Sequence, residues 1–280
     1  MIKEQNCLFN EIKLERQKTS THVINELLYN VYNNVCFSTF PYLVYKESHS
    51  MSSINKYNSG NCIAFSYFIK TYLENNFNIK SYIIGASVPK FFKVEGTPHI
   101  CHCAVLIPIS EHEFYIIDCA LYFLEPIYCD LRKQCQGDIK TSNVHNHEIS
   151  MFSYALEKCE SVYLDSKYDQ RLCPNCMKLK CWFSDDSSQM WNYYLNELKN
   201  PDNNVGVSFL MHKPEPFFMY TIFENGRVKM LYKLEYIDGL LNIKQYPDRT
   251  DIYNGTTYDK NNSYMKIKKE LHRYFDDFMI

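Results

Sequence analysis

The chain has 280 residues, 46% hydrophobic and 22% charged, so it can bury a sizeable core and is not globally disordered. Its 30 Lys and Arg against 32 Asp and Glu give a formal net charge of −2, which excludes a general attraction to nucleic acid or anionic membranes. The charged N-terminal stretch lacks the apolar run of a signal peptide, and no segment reaches the ~18 apolar residues that span a bilayer. We therefore expect a cytoplasmic protein without nucleic-acid or membrane partners, whose twelve cysteines are mostly thiols.

Two helices are predicted in the first third of the chain. Apolar residues recur at helical spacing over residues 19–33. A second, largely buried helix begins at Cys62, with Asn61 or Ser59 as its cap, and ends near residues 75–76. This interpretation puts Cys62 in the first turn of a helix.

Most of the remaining elements are predicted as strands. Residues 102–109 and 113–118 read as an antiparallel hairpin, and Asn225-Gly226 favours a type I′ turn between two later strands. A polar connection runs from about residue 128 to 150, and residues 151–200 are predicted to mix helix and loop. The further predicted elements are strands at 81–88, 217–223, 228–236 and 240–246 and helices at 186–198 and 262–278. This order indicates an α+β fold, because strands and helices do not alternate strictly.

Three residues have the chemistry of a cysteine nucleophile with its base. A helix N-terminus favours the thiolate of Cys62. His102 opens one strand of the predicted hairpin and Asp118 closes the other, so antiparallel register brings them together. Asp118 also stands in an apolar run, where a carboxylate is costly unless it is paired. We predict a Cys62–His102–Asp118 triad; the alternative is that Cys62 is ordinary core packing, since cysteine is often buried.

The segment around these residues resembles the arylamine N-acetyltransferase family. Gly60-Asn61-Cys62 resembles the end of that family's Arg-Gly-Gly-x-Cys motif. The strands at 102–107 and 115–118 resemble its histidine and aspartate strands, and Pro126-Ile127 resembles the short Pro-Leu step that follows. The departures are Asn58 in place of the arginine, Ser59 in place of the first glycine, and residues 119–122 in place of Gly-Phe-Gly.

The resemblance implies a fold and a reaction. The fold has an N-terminal helical bundle, an antiparallel β-barrel or sheet and a C-terminal β-hairpin lid with a terminal helix, around a papain-like core. The expected units are residues 1–86 with the cysteine, 87–200 with the histidine and aspartate, and 201–280 as the lid. The implied reaction moves an acetyl group from acetyl-CoA through a Cys62 thioester to an amine-type acceptor, with ping-pong kinetics. The resemblance suggests four pocket walls: Phe91, Phe92, Leu121 and Tyr122.

Two other functions stay open. Transglutaminase-like and papain-like cysteine hydrolases share the cysteine–histidine–aspartate order, but they usually carry a Trp shortly after the histidine and a Pro after the aspartate. Here these positions hold Ala104 and Cys119. The remaining alternative is a degenerate relative that only binds a ligand.

A zinc site is not expected. Cys173-Pro174-Asn175-Cys176 has the spacing of half a structural zinc site, which needs four ligands. No second Cys-x-x-Cys exists, so ordinary thiols are the favoured interpretation and no metal is predicted. The candidates for the missing ligands are Cys181, Cys159, His145 and His147.

Overall fold

The computed structural model describes residues 12–89, 98–142, 149–159, 164–165, 170–171, 177–203, 217–237 and 240–257. Within these ranges the fold is α+β, as predicted. Four helices precede most of the strands, and two large sheets and one two-stranded sheet complete the described part. The helices are α1 (Thr21–Asn34), α2 (Phe40–Leu43), α3 (Ser50–Tyr57) and α4 (Cys62–Phe77).

The larger sheet has eight antiparallel strands: β3 (Tyr82–Ala86), β4 (His102–Pro108), β5 (Glu113–Ile117), β6 (Ile127–Asp130), β7 (Gln136–Ser142), β8 (Ile149–Lys158), β11 (Met177–Phe183) and β12 (Asp186–Glu197). Their order in the sheet is β6-β5-β4-β3-β12-β11-β8-β7. A bridge between Phe123 and Thr141 joins β7, at one edge, to the segment that follows β5, so the sheet forms a nearly closed barrel. A separate small pair consists of β9 (Leu164–Asp165) and β10 (Gln170–Arg171).

The second sheet joins the N-terminal part of the chain to its C-terminal part. Its strands are β1 (Cys36–Ser38), β2 (Ser59–Gly60), β13 (Phe218–Glu224), β14 (Arg227–Ile237), β15 (Leu240–Tyr246) and β16 (Thr250–Thr257). Their order is β16-β15-β14-β13-β1-β2, and within this sheet only β1 and β2 run parallel. The predicted hairpin of β13 and β14 is confirmed, with Asn225 and Gly226 both at positive φ as a type I′ turn requires.

Three secondary-structure predictions were wrong. The segment predicted as a helix at 186–198 is the strand β12. Its buried residues Trp191, Tyr193 and Leu195 recur with a period of two and line the barrel core, which is the pattern of a strand. The polar connection predicted for residues 128–150 contains β7 and most of β6. The segment 151–200, predicted to mix helix and loop, contains the strands β8 and β11, which pair with antiparallel neighbours. The predicted terminal helix at 262–278 lies outside the described residues.

Two cores hold these layers together. One lies between α1, α4 and the sheets and contains Leu27, Val31, Ile69 and Leu73. The other fills the barrel. Of the described cysteines, Cys129 and Cys135 form a disulfide, and the other seven are buried. None of the described helices combines the length and the apolar composition that a bilayer crossing needs.

Candidate active site

Cys62 is the first residue of α4, and Asn61 caps that helix. The Oδ1 atom of Asn61 accepts hydrogen bonds from the backbone N–H groups of Ile63 and Ala64, both at 3.1 Å. The hydroxyl of Ser50 donates to the same oxygen at 3.1 Å. The predicted cap is therefore confirmed at Asn61, and Cys62 lies where the helix dipole favours a thiolate.

A tight backbone passage leads into this helix. Gly60 pairs with Phe37 in the second sheet, directly before the cap. A Cβ added at Gly60 would lie 2.5 Å from the Cβ of Ala64 and 2.8 Å from the Oη of Tyr42. Only glycine fits this space without displacing its neighbours. The same Tyr42 hydroxyl accepts a hydrogen bond from the backbone N–H of Asn61 at 3.3 Å, so it holds the chain next to Cys62.

Antiparallel register brings His102 and Asp118 together. β4 and β5 pair with Val105 opposite Ile117, so the start of β4 lies beside the residue that follows β5. The Nε2 atom of His102 is 2.6 Å from Oδ2 of Asp118. Both side chains are buried, with 7% and 1% of their surfaces exposed. Because Nε2 faces the carboxylate, Nδ1 is the ring nitrogen left to face Cys62.

Two further donors fix the carboxylate of Asp118. The hydroxyl of Tyr193 donates to Oδ2 at 2.6 Å, and the backbone N–H of Leu121 donates to Oδ1 at 3.1 Å. Tyr193 stands opposite Ala86, and Ala86 stands opposite His102, so the three residues form a row across β12, β3 and β4. The small Ala86 between the two larger side chains leaves Tyr193 room to reach Asp118. Sequence reasoning missed Tyr193 because it lay in a predicted helix; the alternating burial of β12 is the signal that could have found it.

The surroundings of Cys62 lower the pKa of its thiol to about 5. The hydrogen bond with the Cys103 side chain contributes most. Burial opposes it, and the charge of His102, a hydrogen bond with His102 and the backbone N–H of Cys103 add to the lowering. A thiol with this pKa is a thiolate at neutral pH.

The pKa of His102 moves the other way, to about 10. Burial is the largest influence and lowers this pKa, but the charges of Asp118 and Cys62 and the hydrogen bonds with both outweigh it. Both shifts favour a thiolate at Cys62 next to an imidazolium at His102, whose Nε2 is bonded to the carboxylate of Asp118.

The other residues suggested for the site lie in different places. Leu121 is half-buried and contributes its backbone N–H to Asp118. Tyr122 is buried, and its ring stacks on Tyr32 with the centroids 5.8 Å apart. Phe91 and Phe92 lie outside the described residues.

Possible metal ligands lie in the Cys-x-x-Cys segment and in the described part of the chain. Cys173 and Cys176, which carry the half-site spacing, lie outside the described residues. In the described ranges no group of three or more His, Cys, Asp or Glu side chains is placed to hold a metal ion.

Comparison with known proteins finds similar folds among solved structures. No family model matches the sequence, and no curated protein matches it. Solved structures do match over nearly the whole chain. An arylamine N-acetyltransferase from Bacillus cereus, described as having a Cys-His-Glu catalytic triad, shares 13% identity over 98% of this chain and 97% of its own, with a TM-score of 0.56.

Two more matches have the same enzyme name. The arylamine N-acetyltransferase from Salmonella typhimurium shares 10% identity over 98% of this chain and 90% of its own, with a TM-score of 0.56. That of Mycobacterium marinum, solved in complex with CoA, shares 12% identity over 99% and 92%, with a TM-score of 0.50. The predicted resemblance is confirmed at the level of the fold: this chain has an arylamine N-acetyltransferase-like fold.

Proposed function

We propose that this protein is an acyltransferase that carries an acetyl group from acetyl-CoA to an amine-type acceptor through a thioester on Cys62. The observation that carries the proposal is geometric: Cys62 and Asp118 line one pocket, and Nε2 of His102 lies 2.6 Å from Oδ2 of Asp118. The lowered pKa of Cys62 and the raised pKa of His102 support it. Cys62 stands at the start of a capped helix in an arylamine N-acetyltransferase-like fold. A buried thiol that served only for packing would need no base and no carboxylate.

In the first half-reaction the Cys62 proton resides on Nδ1 of His102, and the thiolate attacks the acetyl carbonyl carbon. A tetrahedral intermediate forms, the bond from that carbon to the CoA sulfur breaks, and the departing CoA sulfur takes from His102 the proton that came from Cys62. Asp118 holds the imidazole in the tautomer that has Nδ1 free and stabilises its positive charge. The products are acetyl-Cys62 and free CoA.

In the second half-reaction the acceptor nitrogen attacks the thioester. His102 takes a proton from that nitrogen, and Cys62 leaves as a thiolate, which restores the resting pair. The backbone N–H of Cys103 helps to lower the pKa of the Cys62 thiol, so it lies close to the reacting sulfur. We assign it, together with the N–H of Cys62, to stabilising the oxyanion in both steps.

The test measures CoA release from acetyl-CoA by wild-type protein, Cys62→Ala and His102→Gln. Wild-type protein should release one equivalent of CoA without an acceptor and turn over when a primary arylamine or hydrazine is added. Both variants should lose release while staying folded by circular dichroism. A matched control is Cys36→Ala, which removes another buried thiol and should release CoA normally.

Two outcomes would replace the proposal. Wild-type protein that ignores acetyl-CoA but is labelled at Cys62 by a peptide-like electrophile is a transglutaminase-like or papain-like hydrolase. Wild-type protein whose Cys62 reacts with iodoacetamide near pH 6 no faster than its other cysteines is a binding module without an activated nucleophile.

A further inference from the structure

A second thiol, that of Cys103, lies in the same buried cluster as Cys62. Cys103 follows His102 on β4, and this cluster also contains Ile63 and Ile100. Each of the two cysteine side chains shifts the pKa of the other. The proposed reaction uses the backbone N–H of Cys103 and leaves this thiol without a role.

The Cys103 thiol has a partner on its other side. Its sulfur lies 3.4 Å from Oγ of Ser66, which is one turn beyond Cys62 on α4. Residues four apart on a helix lie on the same face, so Cys62 and Ser66 both face β4. Cys62, Ser66 and Cys103 also line the same small pocket beside Asp118. The polar atoms therefore form a chain that begins at Ser66 and ends at Cys62.

The direction of donation along this chain follows from the acceptor at its end. A thiolate can only accept a hydrogen bond. A hydrogen bond between the Cys62 thiolate and Cys103 therefore requires that Cys103 donates its S–H. The Cys103 sulfur can then accept the hydroxyl proton of Ser66. Burial raises the pKa of the Cys103 thiol well above its ordinary value, and the neighbouring Cys62 raises it further, so Cys103 keeps the proton that it donates.

We propose that Cys103 is a positioning residue whose thiol, oriented by Ser66, donates a hydrogen bond to the Cys62 thiolate and holds that sulfur against His102. The proposal rests on the proposed function in one respect, because it takes Cys62 as the reacting atom. A hydrogen bond to an ionised acceptor is stronger than one between neutral groups. The bond therefore stabilises the thiolate more than the thiol.

Substitution of Cys103 removes none of the other titratable groups around the two cysteines. They are His102 on β4, Asp118 after β5, Tyr67 on α4, Tyr194 on β12 and Cys159 after β8. A change in the titration of Cys62 on substitution of Cys103 thus reports the lost thiol.

The experiment measures the rate of Cys62 alkylation by iodoacetamide against pH, with peptide mapping to identify the modified cysteine. The variants are Cys103→Ala, which removes the donor, Cys103→Ser, which keeps a hydroxyl donor, and Ser66→Ala, which removes the orienting oxygen. Wild-type protein should have its midpoint near 5. Cys103→Ala should move the midpoint up by about one pH unit. Cys103→Ser should stay near wild type, Ser66→Ala should move part of the way up, and Cys36→Ala should not move.

Three results separate the hypotheses. A wild-type midpoint near that of an ordinary thiol would end the proposed function itself. A low wild-type midpoint that is unchanged in Cys103→Ala would overturn the role of Cys103 alone, and so would a Cys103→Ser midpoint raised as far as that of Cys103→Ala. If Cys103→Ala does not fold, Ser66→Ala decides: an unshifted midpoint there overturns the proposal.

Discussion

The cap at Asn61 gives a prediction that separates the folding of the cysteine helix from its electrostatics. Asn61 Oδ1 accepts three hydrogen bonds, from the N–H groups of Ile63 and Ala64 and from the hydroxyl of Ser50, and the residue is buried. Asn61→Ala removes all three. The loss of a helix cap costs about 1–2 kcal/mol, and the buried Ser50 hydroxyl that loses its acceptor adds about 1 kcal/mol.

We therefore expect Asn61→Ala to lower the free energy of unfolding by about 2–3 kcal/mol. Asn61→Asp keeps a carboxylate oxygen in the same place, so it should preserve most of the stability. Its negative charge, however, stands next to the Cys62 thiolate and should raise the pKa of that thiol by about one unit. Urea unfolding measures the first effect, and the pH midpoint of Cys62 alkylation measures the second.

The reasoning would be refuted by either of two results. An Asn61→Ala variant as stable as wild type would mean that the cap does not stabilise the helix that carries Cys62. An Asn61→Asp variant with wild-type stability and an unchanged Cys62 midpoint would mean that charge near this helix start does not govern the thiolate.

Three further predictions follow from contacts in the site. Tyr193→Phe removes one of the hydrogen-bond donors to Asp118 and should slow acetyl transfer about tenfold in a steady-state assay. The pH midpoint of Cys62 alkylation should stay low, because His102 and Leu121 still hold the carboxylate. An unchanged rate of acetyl transfer would contradict this prediction. Asp118→Asn removes the larger of the two charges that raise the pKa of His102 to about 10, so this pKa should fall while Cys62 still raises it, and NMR titration of the imidazole would detect the change. A pKa still near 10 would be the contrary result. Gly60→Ala should destabilise the protein by about 1–3 kcal/mol, because the new Cβ would lie 2.5 Å from the Cβ of Ala64. Thermal unfolding measures this loss, and an unfolding temperature equal to that of wild-type protein would refute the prediction.

The sequence was most informative where local pattern decides the structure. The helix that begins at Cys62, its cap and the two hairpins carry local signals: a capping side chain, helical or alternating periodicity and an Asn-Gly turn. The pairing of His102 with Asp118 is long-range only in sequence separation, since hairpin register fixes it. These parts could be predicted for that reason.

The sequence was least informative where strand pairing with a distant segment decides the structure. Residues 186–198 place aromatic residues at spacings that suit a helix as well as a strand, and β3, which pairs with them on one side, comes from a distant part of the chain. The misassigned helix also hid Tyr193 from the site. The contact of Cys103 with Cys62 depends on how α4 packs on β4, which no local pattern encodes.

The helices α2 and α3 show a milder case of the same limit. Pro41 indicates a loop before the cysteine helix, and residues 48–59 are predicted as a polar stretch, so neither helix is expected from the sequence. Both helices nevertheless lie beside the nucleophile. The buried side chains of Tyr42 and Ser50 reach from them to Asn61 and supply part of the support for Cys62.

The most direct test of the account is intact-mass spectrometry of the protein mixed with acetyl-CoA in the absence of acceptor and quenched in acid. We predict a mass increase of one acetyl group that maps to the peptide containing Cys62, is removed by hydroxylamine and disappears when an arylamine is added. An unmodified protein, or an acetyl group on any residue other than Cys62, would contradict the proposed mechanism.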